Sequence, residues 1–495
     1  MRMSKYIIPG RALIGGGLAG LGLSSSFGGG IFAMSFGIAL LWSISSYPMA
    51  AALWGICVVL LSHCWLLDLH PLTWLGISPF ASYLITFLIW SFCGLLGGFL
   101  VGLWSWLAKL LFFKELQSDC LRSKFLSAFI LAAIWGLGEV VLAKYPFFWI
   151  GISSSFFPQD RLIGGLAAWF GAGGLTVIQL LIGWWIWQVS LLFDSRKTWE
   201  RLFPIGLLVI IVSHSMGWIL LEKETTASSY SASVWQTNIP TREKFLSSRL
   251  KRLPISLQHA LDESKEIGSE LMIAPEGTLP LGQKLLSPSP IKLLTGGFRE
   301  VNGKQRSSLL LINENQQTYS SFVDKHRLVP LGEWIPNLLS HSFKGLSAIG
   351  GLESGEPSRL FIWDGPPFAV AICYELSNGN ALAKAVREGA QWLVSIANLD
   401  PYPIELQKQF LALAQLRSIE IGRDLISVAN TGPTAFVSRS GVITQLISPN
   451  KEEVVKVSLP FSEKKTGYVK WGEKPLIITL FIALTLLIRL KTKFH

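Results

Sequence analysis

"FAVAICYEL", residues 368–376, is a run of five apolar residues that ends abruptly in a thiol, a phenol and a carboxylate. So short and continuous an apolar run, bounded by polar residues, reads as a strand buried on both faces. Polar groups at its C-terminal end read as a site, because ligands gather where the strands of an open α/β sheet finish. The pattern recurs: "LMIAPEG" (271–277) carries Glu276, "WLVSIAN" (392–398) ends on Asn398, and "LISVANTG" (425–432) carries Asn430 and Thr431. Between the last two, Leu406, Phe410, Leu413 and Leu416 recur at helical spacing within Glu405–Ile421. Strands alternating with helices predict an α/β domain in which Glu276 and Cys373 meet at one sheet edge.

Outside this domain the composition changes. The chain has 495 residues, 50% hydrophobic and only 15% charged, with 20 Trp and 29 Phe, where a soluble domain carries roughly a quarter charged residues. Long apolar runs fill 1–221 and return in 475–495, while 222–474 has the mixture of an ordinary globular domain. We read eight spans, near 7–24, 30–46, 49–66, 83–106, 125–141, 164–192, 203–221 and 476–490. No small-residue cleavage site with a polar start follows the first run, so it is read as a span and not as a cleaved leader.

Basic residues give the orientation. Arg2, Lys5 and Arg11 precede or open the first span; Lys109, Lys114, Arg122 and Lys124 are read as the loop between the fourth and fifth. Arg196, Lys197 and Arg201 lie between the sixth and seventh, and Arg489, Lys491 and Lys493 at the C-terminus. The loops around Asp68–His70 and Phe147–Gln159 are poor in Lys and Arg. A cytoplasmic N-terminus puts every basic loop inside and the domain 222–474 outside. This topology accounts for much of the net charge of +11, and with no nucleic-acid motif present, nucleic-acid binding is excluded from the reading.

Of five cysteines, Cys57, Cys64, Cys93 and Cys120 lie in the apolar half, so Cys373 has no partner within its own domain. A lone thiol in an oxidising compartment is buried or used. Use requires a base or a cation. Glu276 supplies a base, and "DKHRLVPLGEWIP" (324–336) supplies Lys325 in an irregular loop with Glu333 eight residues on. Lys325 would stabilise thiolate and oxyanion, and a thiol beside such a cation is expected to have a depressed pKa. His326 is read as a bystander.

Glu, Lys and Cys in this order, in "PEG", "DKHRLVPLGE" and "ICYE", resemble the nitrilase (carbon–nitrogen hydrolase) superfamily. With membrane spans before the domain and one after, the chain is similar to the apolipoprotein N-acyltransferase family. Further segments carry the resemblance: "VWQTNIPTREKF" (234–245), "QLRSIEIGRDLISVANTGPTAF" (415–436), "WGLGEVVLAKYPFFWIG" (135–151) and "WFGAGGLTVIQ" (169–179). There are departures. "IANLDPYP" (396–403) keeps Asn398 but loses the family's Trp, Phe245 stands where a Trp is usual, and the Arg expected soon after Glu139 is absent.

The resemblance implies a multi-span helical membrane bundle plus an extracytoplasmic nitrilase-like αββα sandwich. It implies an enzyme of the bacterial inner membrane, with its catalytic domain in the periplasm. That enzyme takes an acyl chain from a phospholipid, holds it as a thioester on Cys373, and passes it to the N-terminal amine of a diacylglyceryl-cysteine apolipoprotein. Glu276, Lys325 and Cys373 take the catalytic positions, with Glu333, Tyr374, Glu375 and Asn398 in support. No cofactor or metal is expected, and we expect a monomer. Glu139, a carboxylate inside a span, is read either as a structural pair with Lys144 or a headgroup contact, or as a group with a substrate role; Asp160 and Arg161 are read as interfacial anchors. Two other readings are open: a membrane-tethered amidase or nitrilase acting on a small C–N substrate, and a transporter or scaffold with a degenerate outer domain. Eight spans exceed what tethering requires, and an intact Glu, Lys and Cys set argues against degeneracy.

Overall fold

The computed structural model describes residues 7–24, 29–73, 77–118, 120–191, 196–221, 228–243, 247–330, 332–334, 351–400 and 402–493. All eight apolar runs are helical: α1 (Ile7–Leu23), α2 (Gly30–Ser43), α3 (Pro48–Ser62), α4 (Pro79–Gln117) and α5 (Leu121–Leu142). After a short α6 (Arg161–Gly164) come α7 (Ala167–Leu191) and α8 (Arg196–Leu220), and a short α12 (Gly467–Trp471) leads into α13 (Lys474–Lys493). Among the described residues, five are long and apolar enough to cross a membrane (α4, α5, α7, α8 and α13), while α1, α2 and α3 have 17, 14 and 15 residues. At about 1.5 Å per residue, the shorter ones fall below the roughly 30 Å of a hydrocarbon core.

One boundary differs from the sequence reading. Lys109 and Lys114 lie inside α4, which runs on to Gln117, and not in a loop. Ala108, Phe112 and Leu116 recur every four residues and are buried, so the extension has its own apolar stripe. Its Glu115 pairs with Lys491 of α13 at 2.6 Å, bringing the C-terminal end of α4 beside that of α13.

The α/β domain holds two six-stranded sheets. The first contains β1 (Ser229–Gln236), β2 (Leu271–Leu279), β3 (Lys292–Val301), β4 (Lys304–Ile312), β5 (Ser321–Asp324) and β12 (Glu453–Pro460), in the order β12-β1-β2-β3-β4-β5. The second contains β6 (Leu360–Phe361), β7 (Phe368–Ile372), β8 (Trp392–Ala397), β9 (Leu425–Ala429), β10 (Thr434–Val437) and β11 (Ile443–Ile447), in the order β11-β10-β9-β8-β7-β6. β7, β8 and β9 pair in parallel, as do β1, β2 and β3, so their C-terminal ends gather on one edge of each sheet.

"FAVAI" explains the layering. Phe368, Val370 and Ile372 enter the core between the sheets with Ile273, Val394 and Val428, while Ala369 and Ala371 point the other way, toward the helices. Small residues on that face let α10 (Gly379–Arg387) and α11 (Ile404–Ile421) pack close, through Leu382, Val386 and Leu413. On the first sheet, Met272 and Ala274 alternate with Ile273 to meet Leu257 and Leu261 of α9 (Ser247–Glu266). Helix, sheet, sheet and helix form the four layers. The core under α10 and α11 is continuous with that of the membrane helices. Gln409 of α11 helps fix the join: it donates to the carbonyls of Leu23 and Ser62 at 3.1 and 2.9 Å and accepts from Trp149 Nε1 at 3.1 Å.

Candidate active site

Glu276 sits within β2, Lys325 follows β5, Cys373 follows β7 and Asn398 follows β8. Register brings these points together, since β7 and β8 run side by side and the two sheets stack through the residues just before them. Lys325 is fully buried. Its ammonium donates to Glu276 Oε1 at 2.9 Å and to Glu333 Oε1 at 2.7 Å. The backbone N–H of Asn398 holds the other oxygen of Glu276 at 3.0 Å, and that of Val329 holds Glu333 Oε2 at 2.9 Å. Each carboxylate is therefore fixed at both oxygens, one toward the lysine and one toward the backbone.

Burial alone would discharge Lys325, but Glu276, Glu333 and Cys373 raise its pKa well above the ordinary value. It is an ammonium at any working pH. Glu333 shifts up as well: burial is the main cause, Lys325 opposes it, and Glu276 adds to it. The resting thiol departs from the sequence expectation of a depressed pKa. Burial first, and then the Glu276 and Glu333 carboxylates, push the Cys373 pKa up, with Lys325 only partly offsetting them. Two carboxylates outweigh one ammonium, so Cys373 rests as a neutral thiol.

The backbone at Cys373 is strained. Cys373 has φ of 52°, a left-handed conformation in a residue that has a Cβ. The turn after it, Cys373–Ser377, is held by Glu375, which is buried. Its carboxylate accepts from Ile372 N at 2.9 Å, from His326 N at 2.7 Å, from Arg327 N at 3.1 Å and from the Arg359 guanidinium at 2.8 and 2.9 Å. Glu375 thus ties the Cys373 turn to the Lys325 loop. Tyr374 points its hydroxyl at the carbonyls of Pro146 and Phe148, at 2.6 and 2.7 Å, and stacks on Trp149 at 5.6 Å. The Arg327 guanidinium lies 4.2 Å over the Tyr374 ring and donates to the carbonyls of Tyr145 and Phe148. These contacts dock the cysteine turn onto the loop after α5. The Asn398 side chain bonds Thr241 at 3.0 Å.

Cys373 is half-buried and lines a cavity of about 780 Å³ that runs from the strand ends between α3, α4 and α5. On α4 the lining runs from Leu88 to Leu107, a rise of roughly 28 Å. Almost all of the wall is apolar, including Phe92, Leu96, Leu100 and Ile134.

Sequence reasoning missed Tyr402, Arg327 and Arg359. Tyr402 lines the cavity and packs edge-on against Trp65 at 5.5 Å, two residues past the end of "NLD", so an aromatic does follow Asn398 despite the missing Trp. Arg327 lies two residues after Lys325 in "DKHRLVPLGE", so the sequence carries a signal for it. Glu139 does not pair with Lys144: it accepts from Trp135 Nε1 and Ile152 N, both at 3.0 Å, and from Thr176 Oγ1 at 2.5 Å, linking α5 to α7. Asp160 caps α6 through Ile163 N at 3.0 Å and bonds His214 at 3.0 Å, and Arg161 donates to Ser440 O at 3.0 Å. Phe245 lies outside the described residues.

An αββα sandwich with glutamate, lysine and cysteine at its strand ends is thus seated on a bundle of apolar helices, five of them long enough among the described residues to cross a membrane. Solved structures of nitrilase-superfamily proteins align with its outer half. An amidase from Nesterenkonia sp. covers 48% of this chain and 92% of its own, at 14% identity and a TM-score of 0.35. A Saccharomyces cerevisiae member covers 48% and 93%, at 15% and 0.36. No family model matches the chain. Whole-length relatives are more similar: an apolipoprotein N-acyltransferase of Prochlorococcus marinus is 53% identical over 490 residues, 99% of each chain. That of Thermosynechococcus vestitus is 27% identical over 492 residues, 95% of this chain and 93% of the relative. The chain belongs to the apolipoprotein N-acyltransferase family.

Proposed function

We propose that the protein transfers an acyl chain from a phospholipid to the N-terminal amine of a diacylglyceryl-cysteine apolipoprotein, by way of a thioester on Cys373. The observation that carries this reading is the apolar cavity that opens beside Cys373 and runs along the membrane helices. A small polar amide needs no such channel, whereas an acyl chain costs about 0.8 kcal/mol for each CH₂ left in water.

In the first half-reaction Glu276 takes the thiol proton as Cys373 Sγ attacks the ester carbonyl. Lys325 stands beside the oxyanion that forms. Collapse breaks the ester C–O bond, and the lysophospholipid oxygen leaves with the proton from Glu276. In the second, the apolipoprotein amine attacks the thioester, Glu276 takes its proton, and the thiolate leaves and is reprotonated. A base that acts at the moment of attack suits a thiol that rests neutral. Glu333 holds Lys325 charged and in place, and Glu375, Tyr374 and Asn398 position the three reacting side chains.

We assign 1–221 to the membrane domain, 222–474 to the catalytic domain and 475–495 to the last span and its tail. The site lies on the same side as the loops after α3 and α5, which are poor in basic residues. The ends of α4 and α13, joined by Glu115 and Lys491, lie on the other side with their lysines. This supports an inner-membrane protein with its catalytic domain in the periplasm, and we propose that it acts as a monomer. The test is a reconstituted assay with phospholipid vesicles and a diacylglyceryl-cysteine peptide. Acyl-peptide is the expected product, whereas free fatty acid alone, at the same rate with and without peptide, supports a hydrolase.

A further inference from the structure

The α5 wall of the cavity is made by Ile134, Trp135, Gly138, Glu139 and Leu142, a single helical face. Within it, Gly138 is the one position without a side chain, flanked one turn away on either side by Ile134 and Leu142. A Cβ built there meets nothing within 4 Å. The other two glycines that line the cavity are unlike it: a Cβ on Gly55 would lie 2.7 Å from Gly97 O, and one on Gly97 would lie 2.3 Å from the Val59 side chain. Those two exist to let α3 and α4 touch. Gly138 serves no packing of this kind, and its absent side chain leaves space in the cavity itself. The adjacent Trp135 and Glu139 are held where they are, bonded to each other and Glu139 also to Ile152 N and Thr176.

We propose that Gly138 is a specificity-determining residue: the gap it leaves in the α5 wall gives long acyl chains passage along the channel from Cys373. This rests on the acyl-transfer reading and adds to it which residue decides the chain that is accepted. A side chain at this position obstructs the part of the chain that runs below the ester and leaves the reacting groups untouched. Short chains, which end above it, continue to react.

The experiment compares thioester formation on Cys373 from two vesicle donors, dioctanoyl and dipalmitoyl phosphatidylethanolamine, in the full-length protein in detergent. Variants are Gly138→Ala, Gly138→Leu and Gly138→Trp, with Gly17→Leu as control, since a Cβ on Gly17 also meets nothing within 4 Å but Gly17 does not line the cavity. The ratio of palmitoyl to octanoyl rates is expected to fall in the order Ala, Leu, Trp, by about tenfold or more at Leu, and to stay unchanged in Gly17→Leu. A variant that is merely misfolded lowers both rates together, and Gly138→Ala keeps the trend readable if the larger variants do not fold. An unchanged ratio throughout, with wild-type thioester present from both donors, overturns the role of Gly138 alone. Absence of thioester on the wild-type protein from either donor overturns the acyl-transfer reading and this inference with it.

Discussion

Glu375, two residues beyond the cysteine of the candidate site, faces Arg359 at 2.8 and 2.9 Å, and both are buried. A carboxylate so close to the thiol in sequence invites a chemical role, but its acceptor sites are filled by an arginine and three backbone N–H groups. We therefore assign it a positioning role. Glu375→Ala strands a buried guanidinium, and breaking such a pair from one side costs about 3–5 kcal/mol. We expect a lower melting midpoint in detergent and a slower thioester step. Glu375→Gln is expected to recover part of the melting midpoint, because the amide oxygen still accepts. If Glu375→Gln melts like wild type yet forms no thioester, the residue is chemical and not positional.

Removing Lys325 has a different signature. Lys325→Met leaves Glu276 and Glu333 facing each other with no cation between them, and one of the two takes up a proton. The rate of thioester formation is expected to fall by about 10² to 10³, the usual loss for one oxyanion donor. Lys325→Arg does not restore it, since a planar guanidinium cannot replace a compact ammonium between two fixed carboxylates. Stopped-flow or quench measurement of the acyl-enzyme step decides, and full activity of Lys325→Arg contradicts the assigned geometry.

The pH dependence of thiol alkylation follows from the raised pKa of Cys373. A raised pKa means that the folded protein holds the proton more tightly than the unfolded chain. The stability from this group is therefore complete below about pH 8.5, the unperturbed value, and is lost as pH rises through the folded pKa. Iodoacetamide is expected to react slowly at neutral pH, with a midpoint above that of free cysteine. Glu276→Gln removes a charge that raises the pKa, so its midpoint moves down. A midpoint below about 8.5 in the wild type contradicts the raised pKa and means that the site favours the thiolate over free cysteine.

Much of this arrangement was legible in the sequence because it follows local rules. Period-two alternation in "FAVAI" and "LMIA" places alternate side chains in two different layers, and eight apolar runs became helices. Polar residues at strand ends are visible as breaks in those runs. What escaped was set by contacts between distant segments. Arg359 looks like a surface residue until β6 pairs with β7 and carries it to Glu375. The Cys373 pKa depends first on its burial and then on two carboxylates set against one ammonium, and the spacing of Glu333 from Lys325 does not reveal that both carboxylates reach the same site. The α4 extension departs from the sequence reading because Lys109 and Lys114 look like loop residues, though Ala108, Phe112 and Leu116 around them keep a helical stripe.

The central claim, that Cys373 carries the acyl chain between two lipid substrates, is tested most directly by intact mass after exposure to vesicles of palmitoyl phospholipid without acceptor. Wild-type protein is expected to gain one palmitoyl group that hydroxylamine removes and that an added diacylglyceryl-cysteine peptide discharges as acyl-peptide. Cys373→Ala is expected to gain nothing. A hydroxylamine-labile palmitoyl group on Cys373→Ala, together with continued acylation of the peptide, contradicts the account.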